Sequence, residues 1–173
     1  MSTSPESIQK KMRQELDTLA DPRVSAHIQS LLIEPEPVMR PWDYGEEDQK
    51  YECWSVLVES DGNIGIAYSE FGFGPRAPWG LVRMSGDRSK HSMGMDCAWY
   101  SSFLDAYFES AASELPIWRV FKRVDGAYPG QPISVEMDWN AAWKEVETLR
   151  AADKEAQYNC HHSISYGGDK RQL

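Results

Sequence analysis

YECWSVLVESDGNIGIAYSEFGFGPRAPWGLVRM, residues 51–84, is the stretch on which the fold turns. Tyr51 to Glu59 is rich in residues that suit a pleated, half-buried surface, with Trp54, Val56 and Val58 on one parity and Cys53, Ser55 and Leu57 on the other. Ser60-Asp61-Gly62-Asn63 follows, and Asp-Gly between two apolar runs is a strong hairpin signal. The return strand carries Ile64, Ile66 and Tyr68, and Gly65 among them predicts a bulge or a close backbone approach. The loop FGFGPRAPWG has Gly72, Gly74, Pro75, Pro78 and Gly80 for backbone shape and Phe71, Phe73 and Trp79 as anchors. Its spacing matches neither GxGxxG nor GxxxxGK[ST], so it reads as a connection to a third strand, Trp79 to Arg83, not a phosphate cradle.

Outward from this centre, Ser4-Pro5-Glu6 opens a helix with Ile8, Met12, Leu16 and Leu19 as its apolar stripe. Asp21-Pro22 opens a second, with Val24, Ile28, Leu31 and Leu32 inward and Pro35 as its stop. The two are expected to form a helical hairpin over residues 1–33. Residues 34–50 read as an acidic linker: Glu34, Glu36, Asp43, Glu46, Glu47 and Asp48 are interrupted by Pro35, Pro37 and Pro41, with Trp42 and Tyr44 among them and few basic neighbours. Either the run is a solvated connection, or it is a docking surface on which carboxylates steer and aromatic rings anchor a cationic partner.

Downstream, Arg83, Arg88, Lys90 and His91 form a local basic cluster in a polar loop. Asp96 is expected to cap a helix running to about Ser113, with Trp99, Phe103, Ala106 and Tyr107 inward. Ile117 to Val124 reads as a fourth strand at a charge-guarded edge, and Ile133 to Met137 as a short strand. Asp138 caps a last helix to about Ala156, bearing Trp139, Ala142, Trp143, Val146 and Leu149 on one face. Residues 157–173 lose helical periodicity and read as a flexible tail. The fold class is α+β: one domain with an antiparallel sheet of about four or five strands, helices packed on it, and a C-terminal helix.

The 173 residues are enough to bury roughly 68–70% of the unfolded surface in one domain. A net charge of −9 argues against nucleic-acid binding, since phosphates would be repelled, and favours a basic protein partner. The N-terminus shows no apolar h-region, and no run reaches the ~18 apolar residues a membrane span needs. Cys53, Cys97 and Cys160, an odd number without CxxC, read as reduced thiols in a cytoplasmic protein.

Two stretches carry residues that could do chemistry. Cys97 in the first turn of a helix begun by Asp96 would have its thiolate stabilised by free backbone N–H groups. The pair Asp96-Cys97 loosely resembles the NlpC/P60 cysteine peptidases, which would make Cys97 a nucleophile with His91 or His161 as its base. Ala98-Trp99 departs from the small residue and glycine of that pattern, and a small buried thiol is the competing reading. Cys160-His161-His162 lacks the spacing of a metal site, so neither metal nor cofactor is expected.

In size, acidity and a lone α+β domain around WSVLVESDGNIGIAYSEFGFGPRAPWGLV, the chain resembles bacterial immunity proteins. The resemblance implies a non-catalytic cytoplasmic inhibitor, monomeric or dimeric, that covers the active site or substrate access of a toxin. The docking face would then be Glu34, Glu36, Trp42, Asp43, Tyr44, Glu46, Glu47 and Asp48. A homo-oligomeric structural protein is the third alternative, its exposed aromatics meeting across a two-fold axis.

Overall fold

The computed structural model describes residues 3–71, 76–94, 97–124, 126 and 129–167. The protein is α+β, with two antiparallel sheets of five and three strands and four helices. Where one domain was expected, the chain divides into two compact units, Met1–Ala111 and Ala112–Leu173. The boundary also divides the charge. The first unit has 18 acidic and 10 basic residues, and the second 9 and 8.

The first unit is built on a sheet whose strands follow chain order: β1 (Leu32–Pro41), β2 (Lys50–Val58), β3 (Ile64–Tyr68), β4 (Trp79–Arg83) and β5 (Trp99–Tyr100). The β2–β3 hairpin forms as expected, with a different turn. Gly62 N–H donates to Glu59 O at 2.9 Å, so Ser60 and Asp61 are the central pair, and Gly62 follows them at φ +74°. Trp54 pairs with Tyr68 and Leu57 with Ile66, so the extra residue of the bulge lies on β2, at Val56, and not at Gly65. Gly65 serves the close approach instead: a Cβ there would overlap the Leu57 carbonyl and lie 2.7 Å from Met84 Cγ.

Both faces of this sheet are covered, which is why Cys53 through Leu57 are all buried. On one face Tyr68 meets Trp79 edge-on at 5.1 Å and Trp79 meets Phe103 at 5.4 Å. That face lies under α1 (Pro5–Leu16) and α3 (Phe103–Phe108), while α2 (Pro22–Leu31) packs on β2. The caps Ser4 and Asp21 are as read from the sequence. On the other face Cys53, Ala67, Val82, Met84 and Met93 form a cluster, with Trp42, Tyr51, Cys97 and Trp99 packed against it.

Three expectations are corrected in the first unit. Of the segment read as a linker, residues 34–41 belong to strand β1, which runs from Leu32 to Pro41. It is the sheet's edge strand, where prolines without N–H groups are tolerated. Helix α2 accordingly stops at Leu31, before Pro35. The helix expected from Asp96 begins only at Phe103. Ser102 is its cap, with its Oγ accepting from Asp105 N–H at 3.0 Å, and Trp99–Tyr100 is drawn into the sheet as β5. Trp99 lies flat over Gly80, where a Cβ would be 2.8 Å from the ring. The roles expected of Gly72, Phe73, Gly74, Pro75 and Asp96 lie outside the described residues.

In the second unit β6 (Trp118–Lys122) lies between β7 (Gln131–Pro132) and β8 (Tyr158–His162), so it is the central strand and not an edge. Its charges are matched instead: Arg119 faces Glu136 at 3.9 Å and Lys122 faces Asp153 at 3.7 Å. The short strand expected at Ile133 to Met137 is β7 plus an isolated bridge from Met137 to Trp118. Asp138 caps α4 (Trp139–Ala152), accepting from Ala141 N–H at 2.9 Å. The residues read as a flexible tail include strand β8 and a buried continuation of it. Tyr158, Cys160, His162, Ile164 and Tyr166 are buried at every second position, and Ser163 N–H continues the pairing to Ile117 O.

Candidate functional site

The connection between β1 and β2 gathers most of the residues picked out as a docking face. Two successive turns shape it, closed by Gly45 N–H to Trp42 O at 2.9 Å and Gln49 N–H to Glu46 O at 3.0 Å. Gly45 is required because the Tyr51 ring lies against it, with Cε2 2.5 Å from where a Cβ would stand. Around that ring runs a chain of aromatic contacts. Tyr44 meets Trp42 at 5.9 Å, Trp42 meets Tyr51 at 5.4 Å, and Tyr51 meets Phe71 at 5.4 Å. Trp42 and Tyr51 are half-buried, whereas Tyr44 and Phe71 are more than half exposed. Asp43 accepts a hydrogen bond from Ser92 Oγ, which ties the tip to the loop after β4.

Glu46, Glu47 and Asp48 are exposed, and among the described residues no cation pairs with them. Glu34 and Glu36 are separate from this tip. They lie on β1, where Glu34 accepts from Gln9 Nε2 at 3.0 Å and Glu36 forms an ion pair with Arg88 at 2.7 Å. The basic loop is thus partly neutralised internally: Arg88 on Glu36, and Lys90 on Asp87 at 3.4 Å. Phe71 and Tyr51 were not singled out from sequence as part of the surface. Tyr51 is the second residue of β2 and pairs opposite Arg40.

The cysteine site differs from its expectation. With α3 starting at Phe103, Cys97 stands on no helix N-terminus. It is half-buried, and its Sγ lies 3.6 Å from Ser92 O. His91 Nε2 is bonded to Ser85 O at 3.0 Å. His161 belongs to the second unit, where its ring packs edge-on against Phe121 at 5.7 Å. In the same unit burial pushes the Cys160 thiol up to about 11. Among the described residues no three His, Cys, Asp or Glu side chains converge as a metal site.

The first unit also holds a charged side chain in its interior. Arg40 is fully buried on the sheet face that carries Cys53. Its Nη2 donates to Arg83 O at 2.9 Å, but Nε and Nη1 have no hydrogen-bond partner, and Trp42 Nε1 beside it is in the same condition. Burial lowers its pKa from the ordinary 12.5. The sequence showed Arg40 only as a basic residue in an acidic run. Its parity with Val38, which packs inward opposite Cys53, was the available clue.

No family model, no curated protein and no solved structure matches this chain. Among the described residues no helix is long and apolar enough to cross a membrane.

Proposed function

We propose that this protein is a non-catalytic, cytoplasmic binding protein of the bacterial immunity type, which neutralises a toxin by covering a basic active-site or substrate-binding surface. The observation that carries the reading is the β1–β2 tip, where Tyr44 and Phe71 stand exposed on a fixed stack of rings beside Glu46, Glu47 and Asp48. Exposed aromatic side chains on a rigid base are the usual anchors of an interface, and unpaired carboxylates around them add steering at little desolvation cost. Glu34 and Glu36, already bonded within the chain, contribute less to it than the sequence suggested. The concentration of acidic residues in the first unit supports a partner that presents cationic groups.

The test is capture of partners from the native host with the wild-type chain and with the triple variant Glu46→Lys, Glu47→Lys, Asp48→Lys. The association rate of the captured protein is then measured at low and high salt. Steering of this kind contributes about 10- to 1000-fold to an on-rate. The reversal is expected to lower the on-rate at least about tenfold at low salt and to flatten its salt dependence. A captured partner whose on-rate is unchanged by the reversal removes this surface from the interface.

A further inference from the structure

The end of α4 and the turn into β8 shape a cavity of about 400 Å³, lined by Arg150, Lys154, Ala156, Gln157, Tyr158 and Asn159. Small-molecule sites are commonly about 300–1,000 Å³. All six residues belong to the second unit, whereas the acidic tip belongs to the first. Arg150 is exposed but held in place. Its Nε and Nη2 donate to Tyr158 O at 3.2 and 2.6 Å, and Nη2 also reaches Asn159 Oδ1 at 3.5 Å. The guanidinium carbon stands 5.5 Å from the centre of the Trp143 ring. These contacts fix the plane of the fork, and among the described residues Nη1 makes no hydrogen bond.

The same bonds use up acceptors. Tyr158 O is taken twice by Arg150, Gln157 O accepts from Arg123 N–H at 2.9 Å, and Gln157 Oε1 accepts from Arg123 Nη1 at 2.9 Å. What remains is a set of donors: Nη1 of Arg150, the Lys154 ammonium, and the amide NH2 groups of Gln157 and Asn159. Among the described residues Lys154 forms no ion pair, and no carboxylate lines the cavity. Two carboxylates stand near it. Asp153 is engaged, its Oδ1 by the N–H groups of Glu155 and Ala156 at 3.2 Å and its Oδ2 by Lys122 at 3.7 Å. Glu155 is exposed in the turn, and the end of α4 adds a partial negative charge. Arg150 and Lys154 each bring a full positive charge against these.

We infer that this cavity is a binding site for a small molecule carrying a phosphate group. A carboxylate has two oxygens in one plane and suits a single fork. A phosphate group has three acceptor oxygens and up to two charges, so it meets the guanidinium edge, the ammonium and the amide donors together. Ala156 and the side-chain stems of Arg150 and Lys154 offer apolar surface to the rest of the molecule.

The experiment titrates the full ¹⁵N-labelled chain with phenyl phosphate, and separately with benzoate, at fixed ionic strength and at about pH 7.5, where a phosphate monoester is a dianion. The Arg150 Nε–H signal and the side-chain amide signals of Gln157 and Asn159 are followed by NMR. Phenyl phosphate is expected to shift all three saturably, with half-saturation below about 1 mM, and benzoate, which keeps the ring and exchanges the anion, to bind at least about tenfold more weakly. Lys154 is exposed and forms no ion pair among the described residues, so Lys154→Gln leaves the fold alone and should weaken phenyl phosphate about tenfold, the effect of one charge-assisted contact. Arg150→Lys keeps the charge, loses the fork, and should weaken it by a similar factor. Shifts that fail to saturate by about 10 mM overturn the inference without any variant having to fold. So does benzoate binding as tightly as phenyl phosphate, or an unchanged affinity in Lys154→Gln, whose fold the remaining signals verify.

Discussion

Replacing Arg40 by methionine is the sharpest test of how the first unit is held together. The side chain is fully buried, two of its N–H-bearing nitrogens have no hydrogen-bond partner, and its Nη2 donates to the Arg83 carbonyl. A buried donor without a partner costs about 1–3 kcal/mol, so two of them weigh against the fold by about 2–6 kcal/mol. Methionine keeps the length of the aliphatic stem and removes both donors and the charge. Against this stands the lost bond to Arg83 O, about 1.5–3 kcal/mol for a charge-assisted contact. Exchange of a buried ion pair for apolar groups of similar volume is commonly neutral to stabilising by about 1–4 kcal/mol. The expected outcome is a gain of about 2 kcal/mol. With a urea m-value of about 2 kcal/mol/M, that is a midpoint about 1 M higher. Arg40→Ala removes the same donors but opens a cavity, and is expected to lose about 2–4 kcal/mol instead. Tryptophan fluorescence in urea at pH 7 follows both, since Trp42 and Trp99 lie against the cluster. A methionine variant less stable than wild type by more than about 1 kcal/mol, at unchanged m, would refute the claim that the guanidinium is under-satisfied.

Two further changes probe how the sheet is covered. Glu15 on α1 accepts from Leu104 N–H at 3.0 Å, and burial raises its pKa above 4.5 despite the bonds from Leu104 and Phe103. Its folded form therefore favours the proton: that contribution is complete below about pH 4.5 and is lost as pH rises through the raised value. Glu15→Gln keeps the acceptor and removes the titration, so its stability relative to wild type should improve from pH 4 to pH 7; parallel stability–pH curves for the two proteins would contradict this. Gly65→Ala should cost about 1–3 kcal/mol, because the new methyl meets the Leu57 backbone and Met84, neither on an open surface. Gly62→Ala has open space around it and should lose only about 1 kcal/mol from its positive φ. Equal urea midpoints for these two alanine variants would show that Gly65 is not needed for close approach.

Much of the fold was legible because its signals are local. Ser4, Asp21 and Asp138 cap the helices they were expected to cap, since an N-cap needs only a side-chain oxygen and a following turn. The β2–β3–β4 run was legible for the same reason. Asp96 failed because capping chemistry alone does not say whether the following residues have a better partner: Trp99 pairs opposite Gly80 and lies flat over it, and the helix waits for Ser102. The last strand failed because the wrong period was sought. Tyr158, Cys160, His162, Ile164 and Tyr166 alternate strictly, with polar residues and His161 between them. A period of two interrupted by histidines and serines does not look apolar until it is folded against β6.

The acidic tip and the buried arginine of β1 show why sites are harder to read than elements. From sequence, Glu34 to Asp48 is one acidic run, and Arg40 is its dilution. Folding sorts the run by position. Glu34 and Glu36 go to an edge strand, where neighbours from α1 and from the loop after β4 occupy them. Asp43 is used to fasten a loop. Only Glu46, Glu47 and Asp48 remain with nothing to bind within the described chain. Arg40, the one residue of opposite sign in β1, turns inward, so it adds no positive charge to the tip, and two of its nitrogens stay without hydrogen-bond partners in the interior. Both features arise from the same edge strand. If Arg40 pointed outward, its guanidinium would add a positive charge to the acidic run, and the interior would lose its unbonded donors.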